Sequence, residues 1–237
     1  MGIKLERKKE RNWLLTIIYR LHKILPFSSK RKLRLYLDIE WIFYRLAHEV
    51  SFQHYQANEH PLRIKSGASI LAYIQKEDRV LDLGCKYGEL SYLIADKAQK
   101  VIGIDFDKKA ISKANKLYQK DNLEFKVGDA RKFLEDSNYD FDVLILSHIL
   151  EHLDNPLAFL KNFAAYFNRI YIEVPDFQKS YLNQYRKDLG NKLIYTDTDH
   201  VSEFDRDELK ELIKSCGLKI INAEYIFGLQ KVWCKKI

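Results

Sequence analysis

Proline and glycine are scarce in this chain of 237 residues, with four of the first and nine of the second. Disordered linkers and low-complexity tracts draw on both, so long segments of that kind are excluded. Cysteine is rarer still. Cys85, Cys216 and Cys234 are odd in number and widely spaced, and they offer neither a disulfide framework nor a CxxC metal pair. A reducing cytoplasm is the setting that fits this usage. Long apolar runs are missing too, since none approaches the roughly 20 residues that a membrane-spanning helix needs. The opening MGIKLERKKERNWLLTIIYRLHK has a basic front, but its apolar run is short and is broken by Arg20 and Lys23. No small-residue cleavage site follows, so it is not read as a signal peptide. No internal repeat is visible.

What the chain does have is 46% hydrophobic and 31% charged residues, which suits one soluble α/β domain with a sizeable core and a small extension. The net charge of +7 is concentrated at one end. Residues 1–34 hold eleven Lys and Arg against two Glu, leaving 29 basic and 31 acidic side chains in the other 203 residues. A surface that tracks nucleic-acid phosphates has to be basic. The slightly acidic body therefore argues against a nucleic-acid substrate, and any membrane or protein contact falls to the first segment.

Residues 1–60 read as a basic helical extension and residues 61–237 as the main domain. Trp13, Leu14, Ile17, Ile18, Leu21 and Leu25 recur at three- and four-residue steps, giving one apolar face among basic residues, and Pro26 ends that helix. Ser28 and Ser29 suit the N-cap of a second helix over 30–50. Such helices pack on the main domain, or the first lies on an anionic surface at the inner face of a membrane. From about Arg63 the pattern alternates: helix 65–75, strand 79–83, helix 89–97, strand 100–104, helix 108–118, strand 123–127, helix 131–134, strand 141–146, helix 156–167 and strand 169–174. Short apolar strands alternating with amphipathic helices predict a doubly wound, mostly parallel sheet covered on both faces. Helix 206–216 is followed by strands 218–225 and 229–235, read as a hairpin that completes seven strands with an antiparallel last strand at the sheet edge. Residues 177–205 show no clear element, and a long loop after the C-terminal end of a strand marks a functional segment.

The central motif is Val80-Leu81-Asp82-Leu83-Gly84-Cys85-Lys86-Tyr87-Gly88. A buried strand delivers a carboxylate, a tight turn follows, and a helix begins. Gly84 and Gly88 permit positive φ and close approach of the backbone to a ligand. Dinucleotide folds use such a turn for pyrophosphate and need G-x-G-x-x-G, but Lys86 and Glu89 stand where the further glycines belong. Asp82 lies two residues before the turn and would repel a phosphate, whereas a zwitterion bearing an ammonium and a sulfonium meets no such conflict. Seventeen residues after Gly88 comes Asp105, which ends a strand and can accept both hydroxyls of a ribose as charge-assisted hydrogen bonds. Asp129 ends the next strand, placed to meet the exocyclic amine of an adenine, with the backbone N–H of Ala130 beside it. Each acid also suits a helix N-cap or a surface turn.

In this order and spacing, VLDLGCKYG, GIDFD and VGDA resemble the seven-stranded class I S-adenosylmethionine-dependent methyltransferases, including type 11 and type 23-like domains. FDVLILSHILEHLDNP and IYIEVPD add to the likeness, which covers roughly residues 65–237. The resemblance implies S-adenosylmethionine as cofactor, with Asp82, Gly84, Cys85 and Gly88 at the turn, Asp105 and Phe106 at the ribose, and Asp129 and Ala130 at the adenine. Ser147 and His148 match residues lining the methyl-donor end. The chain departs from the common pattern at Lys86, where most members have glycine.

Methyl transfer is an in-line displacement, gained mainly by alignment, with a base needed when the acceptor is a hydroxyl. His148 is the best-placed candidate base, ahead of Glu151 and His152. His200, in the loop TDTDHVSEF, can contact the acceptor or serve as the base, or be structural. Glu173 and Asp176 flank Val174-Pro175, where substrate enters such folds, and equally suit turn and capping roles. His148-Ile149-Leu150-Glu151-His152 also matches the H-x-x-E-H of some zinc proteases. It directly follows a buried strand and no distant acidic ligand is evident, so no metal site is assigned. The resulting reading is O-methylation of a small molecule or glycan. A non-catalytic S-adenosylmethionine-binding scaffold is the alternative, and a nicotinamide-dependent dehydrogenase is disfavoured by the missing glycines.

Overall fold

Seven strands share one sheet in the computed structural model, which describes residues 12–56, 58–136 and 140–237. In chain order they are β1 (Arg79–Leu83), β2 (Lys100–Asp105), β3 (Leu123–Val127), β4 (Val143–Ser147), β5 (Arg169–Pro175), β6 (Leu218–Ile226) and β7 (Leu229–Lys236). Their spatial order is β3-β2-β1-β4-β5-β7-β6. The first five run parallel, and β7 runs antiparallel to both β5 and β6. The antiparallel strand is thus not the edge expected from the sequence. It slots between β5 and β6, and β6 takes the edge.

Successive strand residues face opposite sides. Leu81, Ile102, Leu144, Ile170 and Val232 enter one apolar core, while Val80, Val101, Val143, Tyr171 and Trp233 enter the other. Both faces are therefore buried, which is why these strands read as continuous apolar runs rather than alternating ones. Helices α3 (Pro61–Leu71), α4 (Glu89–Ile94), α5 (Lys108–Leu117), α6 (Ala130–Asp136), α7 (Pro156–Ala164) and α9 (Arg206–Ser215) connect and cover the strands. The boundary at α3 differs from the expected 65–75, because Pro61 takes the first helical turn, where its missing N–H costs nothing.

Before them come α1 (Trp13–Ile24) and α2 (Ser29–His54). Residues 1–11 of the basic segment lie outside the described residues. No described residue of α1 is buried, and its apolar side chains stay open, Trp13 at 72% and Ile24 at 76%. No described helix is long and apolar enough to cross a membrane.

The segment read as lacking elements contains α8 (Tyr181–Leu189). Its sequence hides it, because polar contacts to α2 hold it rather than an apolar stripe. Buried Arg186 donates to the carbonyl of Leu37 at 3.0 Å and pairs with Glu40. Just beyond α8, Asn191 donates to Asp38 at 2.8 Å, the Trp41 indole donates to the carbonyl of Tyr195 at 2.5 Å, and Arg45 pairs with Asp197 at 2.5 Å.

Candidate active site

The chain leaves β1 through a turn with three left-handed residues, Gly84 (φ 73°), Lys86 (φ 48°) and Gly88 (φ 83°). Lys86 adopts a conformation that disfavours a Cβ, which is the physical reason glycine suits that place better. A Cβ on Gly88 would lie 2.4 Å from the Phe125 ring, and one on Gly84 would lie 2.4 Å from Ile149 Cδ1. The turn is fastened to β2 by Gly84 and Cys85, whose N–H groups donate to the carbonyl of Ile104 at 2.8 and 3.2 Å.

Asp105 ends β2 with its carboxylate drawn toward this turn. Lys86 N–H donates to one oxygen and Asp107 N–H to the other, both at 2.8 Å. Each oxygen keeps a lone pair for a ligand. Gly128 N–H donates to the carbonyl of Asp105 at 3.0 Å, which brings the end of β3 alongside. Phe106 stands beside it with 73% of its surface open. Asp129 is exposed, and its Oδ1 accepts from Arg131 and Lys132 at 2.7 and 3.1 Å, so one carboxylate oxygen caps α6. Ala130 and Cys85 are buried, and burial pushes the Cys85 thiol far up, which rules it out as a nucleophile. Asp82, Gly84, Cys85, Gly88, Asp105, Phe106, Asp129 and Ala130 thus gather at the carboxyl ends of adjacent parallel strands, the edge where open α/β sheets bind ligands.

Asp82 is buried, accepts a hydrogen bond from Ser91 at 2.5 Å, and titrates at about 7. Burial raises it, the Ser91 hydroxyl pulls it back in part, and repulsion from Asp105 adds to the rise. Because the folded value lies above the unfolded one near 3.9, the free protein loses stability as pH rises from about 4 to about 7. An ammonium-bearing ligand needs the ionised form. Affinity for S-adenosylhomocysteine is expected to be about tenfold weaker at pH 6 than at pH 8, measured by calorimetry. A pH-independent affinity in the wild-type chain, or an unaltered slope in Asp82→Asn, would refute the assignment.

At the next strand end, Ser147 and His148 follow β4. Ser147 donates to Glu173 on neighbouring β5 at 3.3 Å. His148 has φ 56°, a left-handed conformation for a non-glycine residue. Nδ1 lies 2.9 Å from buried Glu151, and Nε2 lies 3.5 Å from buried Glu173. Burial alone would lower the ring's affinity for a proton, but the two carboxylates outweigh it and hold His148 as a cation, with a value near 10. Glu173 is itself cradled by Ser66 at 3.0 Å, Tyr171 at 2.6 Å and Lys231 at 3.6 Å. Although burial opposes its charge, His148 and Lys231 keep it ionised, near 2.

His48 of α2 belongs to the same region and carried no sequence signal, because it lies 100 residues before His148. Burial lowers its proton affinity, and the neighbouring cations Arg45, Lys179, His60 and His148 lower it further. His200 is not free in a polar loop. Its side chain is only 6% exposed, and Nδ1 meets buried Glu203 at 2.8 Å. The H-x-x-E-H segment is no α-helix either. Leu150–His152 is a 3₁₀ turn, so His148 and His152 are not stacked one helical turn apart.

A family model described as "methyltransferase domain" matches residues 52–223. The chain belongs to this family. It is a class I, S-adenosylmethionine-dependent methyltransferase by family and fold, with the mostly parallel seven-stranded sheet and one antiparallel strand that its sequence predicted. Magnesium protoporphyrin IX methyltransferase from Synechocystis PCC 6803, solved with bound S-adenosylhomocysteine, shares this fold at TM-score 0.59 and 14% identity, covering 84% of this chain and 99% of that one. A putative ribosomal RNA large subunit methyltransferase of Methanocaldococcus jannaschii is 32% identical over 134 residues, 52% of this chain and 31% of that protein. The ubiquinone biosynthesis O-methyltransferase of Aliivibrio fischeri is 30% identical over 88 residues, 36% of this chain and 38% of that protein. The methyltransferase thus aligns with about a third of the length of these curated relatives. Its own geometry fits the cofactor: a turn whose glycines leave no room for a Cβ, and beside it a strand-end carboxylate with spare lone pairs.

Proposed function

We propose that this methyltransferase transfers a methyl group from S-adenosylmethionine to a hydroxyl oxygen of a small-molecule or glycan acceptor. Asp82 and the Gly84–Gly88 turn hold the methionine part, Asp105 and Phe106 the ribose and Asp129 and Ala130 the adenine, with Ser147 at the methyl end. The observation that carries oxygen as the target is His148, held between two buried carboxylates at the end of β4. Bound there, the cofactor supplies an activated methyl on a sulfonium leaving group. A sulfonium bound there would oppose the charge on His148 and weaken the ring's hold on its proton. In its neutral form the imidazole, oriented through Nδ1 by Glu151, would take the acceptor's hydroxyl proton at Nε2. The O-methyltransferase among the similar proteins supports the same reaction, and the slightly acidic body disfavours RNA. The open apolar face of α1, together with the basic charge of residues 1–34, supports contact with a protein or an anionic membrane surface.

Labelled-methyl transfer from S-adenosylmethionine into fractionated extract of the source cell tests this reading and identifies the acceptor. Binding without transfer to any component would favour a scaffold. His148→Ala is expected to lower turnover 10²- to 10⁴-fold, the usual worth of a positioned base, with cofactor affinity kept. Near-normal turnover would remove His148 from that role.

A further inference from the structure

Behind His148, on the far side of Glu151, lies a second polar cluster that methyl transfer does not use. Glu151 and His152 come from the 3₁₀ turn after β4, and His200 from the loop between α8 and α9. The backbone sews the two segments together, since the N–H groups of Val201 and Ser202 both donate to the carbonyl of Glu151, at 2.9 and 3.2 Å. One carboxylate oxygen of Glu151 and one ring nitrogen from each of His152 and His200 all lie within 4.8 Å of one another. The imidazoles meet edge to face, with centroids 4.8 Å apart.

Two features distinguish this cluster from a solvated acidic patch. Glu151 is fully buried and, with Oε1 taken by His148, its Oε2 has no partner among the described residues. A buried, unpartnered carboxylate oxygen is destabilising unless something electropositive meets it. Each histidine is also held from behind. His152 Nδ1 lies 3.3 Å from the carbonyl oxygen and 3.6 Å from the carboxylate of Asp199, and His200 Nδ1 lies 2.8 Å from Glu203. Among the described residues neither ring has a hydrogen bond at Nε2, and a carboxylate behind an imidazole is the arrangement that orients metal-bound histidines. Finally, the neighbouring trio Asp197, Asp199 and His200 is a poorer site, because Arg45 already neutralises Asp197 and Asp199 is 69% exposed.

We propose that Glu151, His152 and His200 bind one divalent first-row transition-metal ion. Two imidazoles and one carboxylate suit zinc, manganese, iron or cobalt rather than calcium, which takes oxygen ligands alone. Three protein donors leave coordination positions open, as in catalytic rather than structural sites. Glu151 joins the ion's site to His148; resting on the proposed role of His148, the open positions would face the acceptor and suit one that offers two neighbouring oxygens, such as a catechol or a vicinal diol. The H-x-x-E-H spacing did not foretell this set, because His148 is not a member and the third ligand comes 48 residues after His152.

Chelator-treated full-length protein titrated calorimetrically with Zn²⁺, Mn²⁺ and Co²⁺ tests the site independently of any acceptor. One equivalent of at least one of these ions is expected to bind, and Co²⁺ is expected to show a ligand-field absorption band. Glu151→Gln and His200→Ala should abolish both signals, and Glu203→Gln should weaken binding 10- to 100-fold. S-adenosylhomocysteine affinity reports that each variant is folded and that cofactor binding stands apart from the metal. Should the buried positions fail to fold, His152→Ala decides, since that ring lies at the surface. No stoichiometric ion, binding that survives His152→Ala, or binding lost only in Asp199→Ala would overturn the proposal.

Discussion

Asp105→Ala is expected to weaken S-adenosylhomocysteine binding by at least about 100-fold. A carboxylate that accepts two ribose hydroxyls contributes two charge-assisted bonds, each about 1.5–3 kcal/mol, and tenfold in affinity corresponds to about 1.4 kcal/mol. The same carboxylate also orders the turn, since Lys86 and Asp107 N–H groups both end on it. Asp105→Asn separates the two roles. The amide keeps one acceptor and loses the charge, so an intermediate loss near tenfold is expected if ribose recognition dominates. Calorimetry on the three proteins is the measurement. Affinity in Asp105→Ala within threefold of wild type would mean that the ribose is held elsewhere.

The second large effect is on stability. Gly88→Ala is expected to lower the melting temperature by about 10 °C. Left-handed backbone costs an alanine about 1–2 kcal/mol, and overpacking adds about 1–3. The new methyl would lie 2.4 and 2.5 Å from two carbons of Phe125 and 3.1 Å from Ala114 Cβ. In a domain of this size each kcal/mol is worth about 2–4 °C. Adding Phe125→Leu should return part of the loss, because the two residues share one contact and their effects are not additive. A Gly88→Ala protein that melts with the wild type would show that the turn relaxes freely and that glycine is not required there.

Those two residues were legible in the sequence for the same reason. Strand-end acids and turn glycines are local features, marked by the apolar runs before them, and the strands themselves fall within about two residues of expectation. What escaped was held by distant polar contacts. The helix Tyr181–Leu189 has too few apolar residues to announce itself, and Arg186 and Asn183 become buried only because α2 and the preceding turn accept their hydrogen bonds. His48 reaches the site on a helix whose periodicity says nothing of what it covers. Likewise, Glu151 and His200 are separated by 49 positions, and only the loop bonded to the carbonyl of Glu151 brings them together. His200 was legible as a residue of interest while its surroundings were not, since the burial that sequesters it is a property of the folded loop.

The place of β7 has a consequence for how the chain acquires its shape during synthesis. Residues 229–236 supply the hydrogen-bonding neighbour of β5 on one side and of β6 on the other, with Trp233 set against Tyr171. Until those residues leave the ribosome, β5 has an open flank and β6 has no partner strand. The emerging chain can therefore assemble β1 to β4 early, while the flank beside Glu173 stays raw until β7 is translated. A ribosome stalled before residue 229 holds a nascent chain with an unpaired apolar strand, the kind of edge that chaperones cover.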